Sequence, residues 1–304
     1  MRMKKFISPI LVYALLLVAC GNDGTSTDQA QLENELENIK ELEPNLSDDK
    51  ITSILSSIPS PLELSVQIQE MGIEYNRDML NNADNINKYN SRYRKALNLG
   101  IYGTDLGYTN IYQHTQDGLN YLNAIRQLAS DLNISQFLNF ESIKELTSAK
   151  SNLDSLLMIT NQNFDQINSH FRETNQSSLS TLLLTGGWLE ALYITTQVAL
   201  KHPDSKELME RIGEQKIVLG NIMVLLDSYS RNDAEIKELM LEMQDLEELF
   251  KKIEITYTYG EATSKIVDGV IEIQNTSTSN VVITKEDIEN ITKTTEIIRN
   301  SIIG

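Results

Sequence analysis

The sequence has very few of the side chains from which metal and redox sites are built. Its 304 residues include one cysteine, Cys20, and three histidines, His114, His170 and His202. A single cysteine excludes a disulfide within the chain, and a fold of more than about 200 residues buries enough apolar surface to do without one. None of the histidines has another histidine or a cysteine at ligand spacing, and no H-E-x-x-H motif is present. We therefore predict no metal site and no cofactor.

The motifs of common catalytic sites are also missing. The glycine-rich segment 100–107 does not follow a predicted strand and lacks the lysine of a phosphate loop, which argues against nucleotide binding. No G-x-S-x-G turn precedes a helix, and the Glu-x-x-His motif of dimetal helical bundles is absent. We predict that the protein is not an enzyme and has no catalytic residues.

Basic residues are scarce relative to acidic ones. The chain has 26 lysines and arginines against 43 aspartates and glutamates, a net charge of −17. Such a body repels phosphate backbones and anionic lipid surfaces, so binding to nucleic acid or directly to lipid headgroups is disfavoured. The charge leaves two interpretations: cationic partners, or simply the solubility of an exported protein.

The first twenty residues have the layout of a secretory signal. Arg2, Lys4 and Lys5 precede an apolar run over residues 6–19 that is too short for an ordinary transmembrane helix. The run ends at Leu17-Val18-Ala19-Cys20, which resembles a bacterial lipobox. The resemblance implies that a diacylglyceryl group is joined to the sulfur of Cys20 and that the chain is cleaved before it. The alternatives are an uncleaved signal anchor, or a plain signal peptide with an unrelated cysteine.

The domain organisation follows from this assignment. We predict a signal peptide over 1–19, then a lipidated N-terminus with a polar tether and a short acidic helix over 20–50, and a single helical domain over 51–304. Leu32, Leu36, Ile39 and Leu42 would share one face of the acidic helix. Removal of the signal would leave 23 basic residues against 43 acidic ones, a net charge of −20.

An apolar period of three or four residues dominates the chain after residue 60, which predicts an all-α, multi-helix bundle. Ser60, Pro61 and Glu63 are typical of the first turn of a helix, with Ser60 as its N-cap. Asp233 and the segment Thr284-Lys-Glu-Asp287 predict two further helix starts. The predicted helices cover 61–81, 93–131 (as two helices or one broken near 116–118), 135–149, 151–174, 178–200, 205–230, 233–254 and 284–300.

The period changes between residues 253 and 283. Ile255, Tyr257 and Tyr259 alternate with polar residues, and the branched residues of 267–273 are interrupted by Gly269. This pattern predicts a short β-hairpin or an irregular excursion from the bundle.

Two segments, 97–108 and 182–193, share an unusual pattern. Each runs from leucines through glycines to a carboxylate, Asp105 or Glu190, with Tyr108 or Tyr193 three residues later. The offset is 85 residues in both cases, which a duplicated helical hairpin or chance would produce. Because glycine weakens a helix, Gly100, Gly103 and Gly107 on one side predict that another backbone passes close by.

The carboxylates lie among apolar residues and must be paired, hydrogen-bonded or protonated if they are buried. One hypothesis is a structural polar layer between helices, completed by a basic residue for which the candidates are Arg92, Arg94, Arg126 and Arg172. The other is a small-ligand pocket in which Asp105 and Glu190 bind the ligand. Its aromatic lining would be Tyr102, Tyr108, Trp188 and Tyr193.

The segment 186–193 is similar to uncharacterised helical lipoproteins of Gram-negative bacteria. That resemblance implies export to the periplasmic face of an envelope membrane, or to the cell surface. It implies the outer membrane, because Gly21 rather than an aspartate follows the cysteine. We predict a lipid-anchored binding, accessory or scaffold component of the envelope with a protein partner there; the alternative is a small-ligand receptor that uses the carboxylate and tyrosine layer.

Overall fold

Ten α-helices form most of the structure, a computed structural model that describes residues 46–148, 153–258, 263–267, 270–274 and 278–304. Short 3₁₀ turns lie at Arg77–Met79, Ala83–Lys88 and Ser135–Phe137. The all-α, multi-helix fold is therefore confirmed. The α-helices are α1 Asp48–Ser57, α2 Leu62–Glu70, α3 Arg92–Ile111, α4 Thr115–Asp131, α5 Phe140–Ser148, α6 Leu153–Glu173, α7 Ser177–Lys201, α8 Lys206–Ser230, α9 Ala234–Lys251 and α10 Lys285–Ile303.

Four short strands lie between α9 and α10, which confirms the predicted hairpin. They are β1 Glu254–Thr258, β2 Thr263–Val267, β3 Val270–Gln274 and β4 Thr278–Val282. β1 pairs antiparallel with β4, and β2 pairs antiparallel with β3. The paired strands β2 and β3 therefore lie between β1 and β4 in the sequence. Ile255 and Val281 face each other in register and both are buried. A side chain at Gly213 of α8 would collide with Val281, so this glycine lets the outer strands pack on α8.

Side-chain caps begin several helices, as the sequence predicts. The Asp233 carboxylate accepts from the backbone amides of Glu235 and Ile236 at the start of α9. Thr284 and Asp287 form a capping box at the start of α10, each side chain bonded to the backbone amide of the other residue. These bonds satisfy amides that the first helical turn leaves without an intrahelical partner.

The helix predicted over 61–81 is wrong at both ends. It begins at Leu62, and the hydroxyl of Ser60 makes no capping bond. It ends at Glu70, because Gly72 adopts a left-handed conformation with φ of 73°, which stops a helix. Tyr75 and Met79 still pack against the core, although they lie in irregular chain and a 3₁₀ turn.

Other boundaries differ by a few residues. The break between α3 and α4 falls before Thr115, where Gln113 has φ of 61°, and not near 116–118. The helix predicted from 135 begins at Phe140, after a 3₁₀ turn. The predicted short acidic helix that contains Leu32, Leu36, Ile39 and Leu42 lies outside the described residues.

Helices α3 and α7 form the centre of the core. They pack on each other, α3 also contacts α2 and α4, and α7 also contacts α6, α8 and α10. Buried residues occur all around α7 from Leu179 to Ala199, which is typical of a helix with neighbours on every side. None of the described helices combines the length and the apolar composition needed to cross a bilayer.

Candidate functional site

Helices α3 and α7 touch through their backbones. A Cβ atom on Gly100 would overlap the carbonyl oxygen of Leu183, and one on Gly186 would overlap that of Leu97. The hydroxyl of Thr104 adds a hydrogen bond of 3.0 Å to the carbonyl of Gly187. The close approach predicted from the glycines of α3 is thus confirmed at Gly100.

The same prediction is wrong at the other two glycines of α3. A Cβ atom on Gly103 would meet nothing within 4 Å. At Gly107 it would meet the side chain of Leu62 and not a backbone. Of the three glycines of α3, only Gly100 makes the backbone contact, since Gly103 is exposed and has open space at its Cβ position.

Next to the contact between α3 and α7, a buried ion pair lies beside a second carboxyl group. Arg299 of α10 donates from Nε to Oε2 of Glu190 at 2.6 Å and from Nη2 to Oε1 at 2.7 Å. Nη2 also donates to the carbonyl of Met79 at 3.1 Å. The side chains of Arg299 and Glu190 are 5% and 0% exposed. This two-bond arrangement is the strong geometry for a guanidinium and a carboxylate.

Asp105 of α3 completes the layer. Its side chain is fully buried, and Oδ2 accepts from the backbone amide of Asn81 at 3.2 Å. Burial, followed by the negative charge of Glu190, raises the pKa of Asp105 well above its usual range, while Arg299 acts in the opposite direction. Glu190 and Arg299 both lie close enough for their charges to act on the Asp105 carboxyl group.

The raised pKa favours the protonated form of Asp105. Among the described residues, Oδ1 of Asp105 has no hydrogen-bond partner. One guanidinium then balances one carboxylate. The charged layer formed by Asp105, Glu190 and Arg299 is therefore neutral overall, which is what burial favours.

Two of the predicted tyrosines lie beside this charged layer. The guanidinium carbon of Arg299 lies 4.2 Å from the ring centre of Tyr193, a cation–π contact. The hydroxyl of Tyr102 donates to the carbonyl of Asn82 at 2.9 Å, in the same irregular segment that supplies Asn81. These contacts support the structural hypothesis of a polar layer that fixes neighbouring helices.

The other two predicted aromatic residues point elsewhere. Tyr108 accepts from the backbone amide of Asn76 at 3.2 Å and stacks on Tyr75 with ring centres 5.3 Å apart. Trp188 donates from Nε1 to Gln215 of α8 at 3.0 Å. They therefore do not form a common ligand-binding wall with Tyr102 and Tyr193.

The predicted basic partner is wrong. The four arginine candidates make other contacts: Arg92 with Gln176, Arg94 with the carbonyl of Ile302, Arg126 with the ring of Phe140, and Arg172 with Thr52. Arg299 was missed because it lies 109 residues from Glu190. The feature that points to its burial is its position in the helix, because it shares a face of α10 with Ile288, Thr295 and Ile302, all of them buried.

A cavity of about 500 Å³ lies apart from the charged layer. It is bounded by the end of α1, the start of α2 and the connection between them, and by parts of α3, α4, α5, α6 and α7. None of the six predicted site residues Tyr102, Asp105, Tyr108, Trp188, Glu190 and Tyr193 lines it. The structure thus places its cavity away from the carboxylates. Its apolar lining includes Leu99, Leu106, Ile125, Leu138, Phe164 and Leu184.

No protein-family model, no curated protein and no solved structure matches this chain. A functional proposal therefore rests on the residues of this protein alone. Within residues 46–304, where described, no three histidine, cysteine, aspartate or glutamate side chains are grouped so that they could hold a metal ion.

Proposed function

We propose that this protein is a lipid-anchored binding protein of a bacterial envelope, and that its folded domain holds an apolar ligand in the cavity beside α3. The observation that carries the proposal is the cavity itself. Its volume of about 500 Å³ falls within the range of about 300–1,000 Å³ that is typical of small-molecule sites.

Gly103 supports a role for this space. It lies inside α3, where alanine would favour the helix by about 1 kcal/mol. Nothing lies within 4 Å of the position that a Cβ atom would occupy, and the residue lines the cavity. Gly103 is exposed to solvent, so it lies where the cavity opens, and a larger side chain there would narrow the space that a ligand enters.

The charged layer supports the same role indirectly. Asp105 lies on α3 between the cavity-lining residues Thr104 and Leu106. It lies beside Glu190 and Arg299, whose two hydrogen bonds join α7 to α10. This buried ion pair favours one arrangement of the helices that form the wall of the cavity.

The envelope location is proposed from the N-terminal sequence. The lipobox-like Leu17-Val18-Ala19-Cys20, followed by polar residues, supports a lipid anchor on Cys20 and a tether to the folded domain. Cys20 lies outside the described residues. An accessory or scaffold role with an envelope protein partner stays a prediction, which crosslinking in whole cells followed by mass spectrometry would test.

Binding of the neutral fluorescent dye Nile red to the purified full-length chain tests the cavity. We expect saturable binding with a rise in fluorescence, and a loss of about tenfold or more in affinity for Gly103→Leu, because the leucine occupies the space of the ligand. Gly220→Leu is the matched control, since Gly220 lies in α8 with nothing within 4 Å of its Cβ position and does not line the cavity. Equal binding by the wild type and both variants would contradict the proposal.

A further inference from the structure

The cavity has an acidic rim. Glu63 of α2 and Asp165 of α6 line it, and both residues are exposed to solvent. Among the described lining residues there is no lysine, arginine or histidine. The charged side chains that the described lining offers to a ligand are therefore both negative.

Neither carboxylate is neutralised by a neighbour. In the described ranges of the chain, Glu63 and Asp165 take part in no ion pair. Glu63 lies in the first turn of α2, where the helix dipole favours a negative charge. Asp165 lies in the middle of α6, so the dipole gives no such reason for its position. The charge at the rim is thus available to a ligand.

We infer that the ligand is an amphiphile with an apolar chain and a positively charged end group, such as an alkylamine. The apolar chain would occupy the space between Leu99, Leu106 and Phe164, and the end group would lie near Glu63 and Asp165. A fatty-acid carboxylate is disfavoured, because it would add a third negative charge to a rim without a cation. This inference rests on the proposed function, since it names the ligand class of the same cavity.

Competition with bound Nile red tests the end group. The competitors are decylamine, decanol and decanoate, which share one chain length, used with the full-length chain at about pH 7 and below their aggregation concentrations. We expect decylamine to displace the dye best and decanoate least. The Glu63→Gln/Asp165→Asn double variant is expected to weaken decylamine binding by about tenfold, since two exposed ion pairs are lost, and to leave decanol unchanged.

A matched double variant distinguishes the effect of the rim carboxylates from the effect of the overall negative charge of the protein. Glu70→Gln/Glu173→Gln removes two exposed carboxylates from the same two helices without touching the cavity lining. We expect it to keep the preference for decylamine. Equal displacement by all three competitors, or a loss of preference in this control, would overturn the inference while the apolar site stands. Failure of all three to displace the dye would overturn the proposed function itself.

Discussion

At the level of single residues, the two carboxyl groups of the charged layer differ in what they contribute. Glu190 is the counterion of Arg299, with two short hydrogen bonds to the guanidinium. Asp105 is held between the backbone amide of Asn81 and the side chain of Glu190, with a pKa raised by burial. Glu190 contributes as a charged carboxylate and Asp105 as a protonated carboxyl group. Conservative substitutions therefore distinguish their contributions to stability.

Glu190→Gln is expected to lower the free energy of unfolding by about 3–5 kcal/mol, because it leaves Arg299 buried without a counterion. Asp105→Asn is the matched control and is expected to cost less than about 1 kcal/mol. Its amide keeps an acceptor for Asn81 and supplies a donor to Glu190. Denaturant unfolding measures both. Similar losses for the two variants would show that Asp105 is charged in the folded protein.

The protonation of Asp105 also predicts a pH dependence. An aspartate in the unfolded chain titrates near pH 3.9, whereas burial keeps the folded pKa of Asp105 well above its usual range. Between these two values the folded state binds more protons, so the free energy of unfolding falls as pH rises, by up to about 1.4 kcal/mol per pH unit.

Asp105→Asn lacks this titration. The stability of the wild type relative to the variant should therefore decrease as pH rises from about 4, until the pH passes the folded pKa. Denaturant unfolding of both proteins over this range measures the difference, in which the titration of all other carboxylates cancels. A difference that does not change with pH would argue against a protonated Asp105.

The pairing of Asp105 with Glu190 could be anticipated from the sequence, but its completion could not. The carboxylates stand out because their neighbours in sequence are apolar, and burial then demands a partner. The identity of Arg299 depends on how α10 packs on α7, which no local pattern records. Spacing of three residues places Tyr108 on the face of Asp105, but Tyr108 extends toward Asn76 and away from the charged layer.

At the level of elements, the contact between α3 and α7 depends on two glycines. Gly100→Ala and Gly186→Ala are each expected to destabilise the protein by about 1–3 kcal/mol, because the added methyl group overlaps a carbonyl oxygen of the other helix.

Gly103→Ala is the control, with open space at its Cβ position, and it is expected to be neutral or to stabilise by up to about 1 kcal/mol. Thermal and denaturant unfolding of the three variants measure this order. A destabilisation by Gly103→Ala equal to that of Gly100→Ala would contradict the close contact between α3 and α7 at Gly100.

The elements were predictable where the helical period and the caps agree. The starts of α9 and α10 follow from Asp233 and Thr284, and the change of period at Ile255 marks the hairpin. The end of α2 was not predicted, because Tyr75 and Met79 continue the apolar spacing beyond it. They reach the core from irregular chain, which the left-handed Gly72 begins.

At the level of the whole molecule, a lipidated N-terminus would hold the folded domain at a membrane. Cys20→Ser is expected to abolish lipid attachment and to move the protein from the membrane fraction to the soluble fraction, because the acyl chains supply the affinity for the bilayer. Cell fractionation and immunoblotting measure this, with Ser26→Ala in the polar tether as a control. Unchanged processing and sedimentation of Cys20→Ser would contradict the anchor.

The cavity could not be predicted from the sequence. Its walls come from the seven helices α1 to α7 and the segment that connects α1 to α2, and its apolar lining residues are of the same types as those of the core. The glycines of α3 stand out in the sequence, but the helical period alone does not distinguish Gly100, which contacts a backbone, from Gly103, which faces open space. Which face of α3 is covered depends on the arrangement of the whole bundle.

The most direct test of an apolar binding site is to locate a bound chain. Crystals of the full-length protein grown with decylamine that carries a terminal bromine atom would place the bromine by anomalous scattering. If the cavity is the binding site, we expect one strong bromine position within it, in contact with the side chains of Leu106, Ile125 or Phe164. A bromine position on the outer surface with an empty cavity would contradict it.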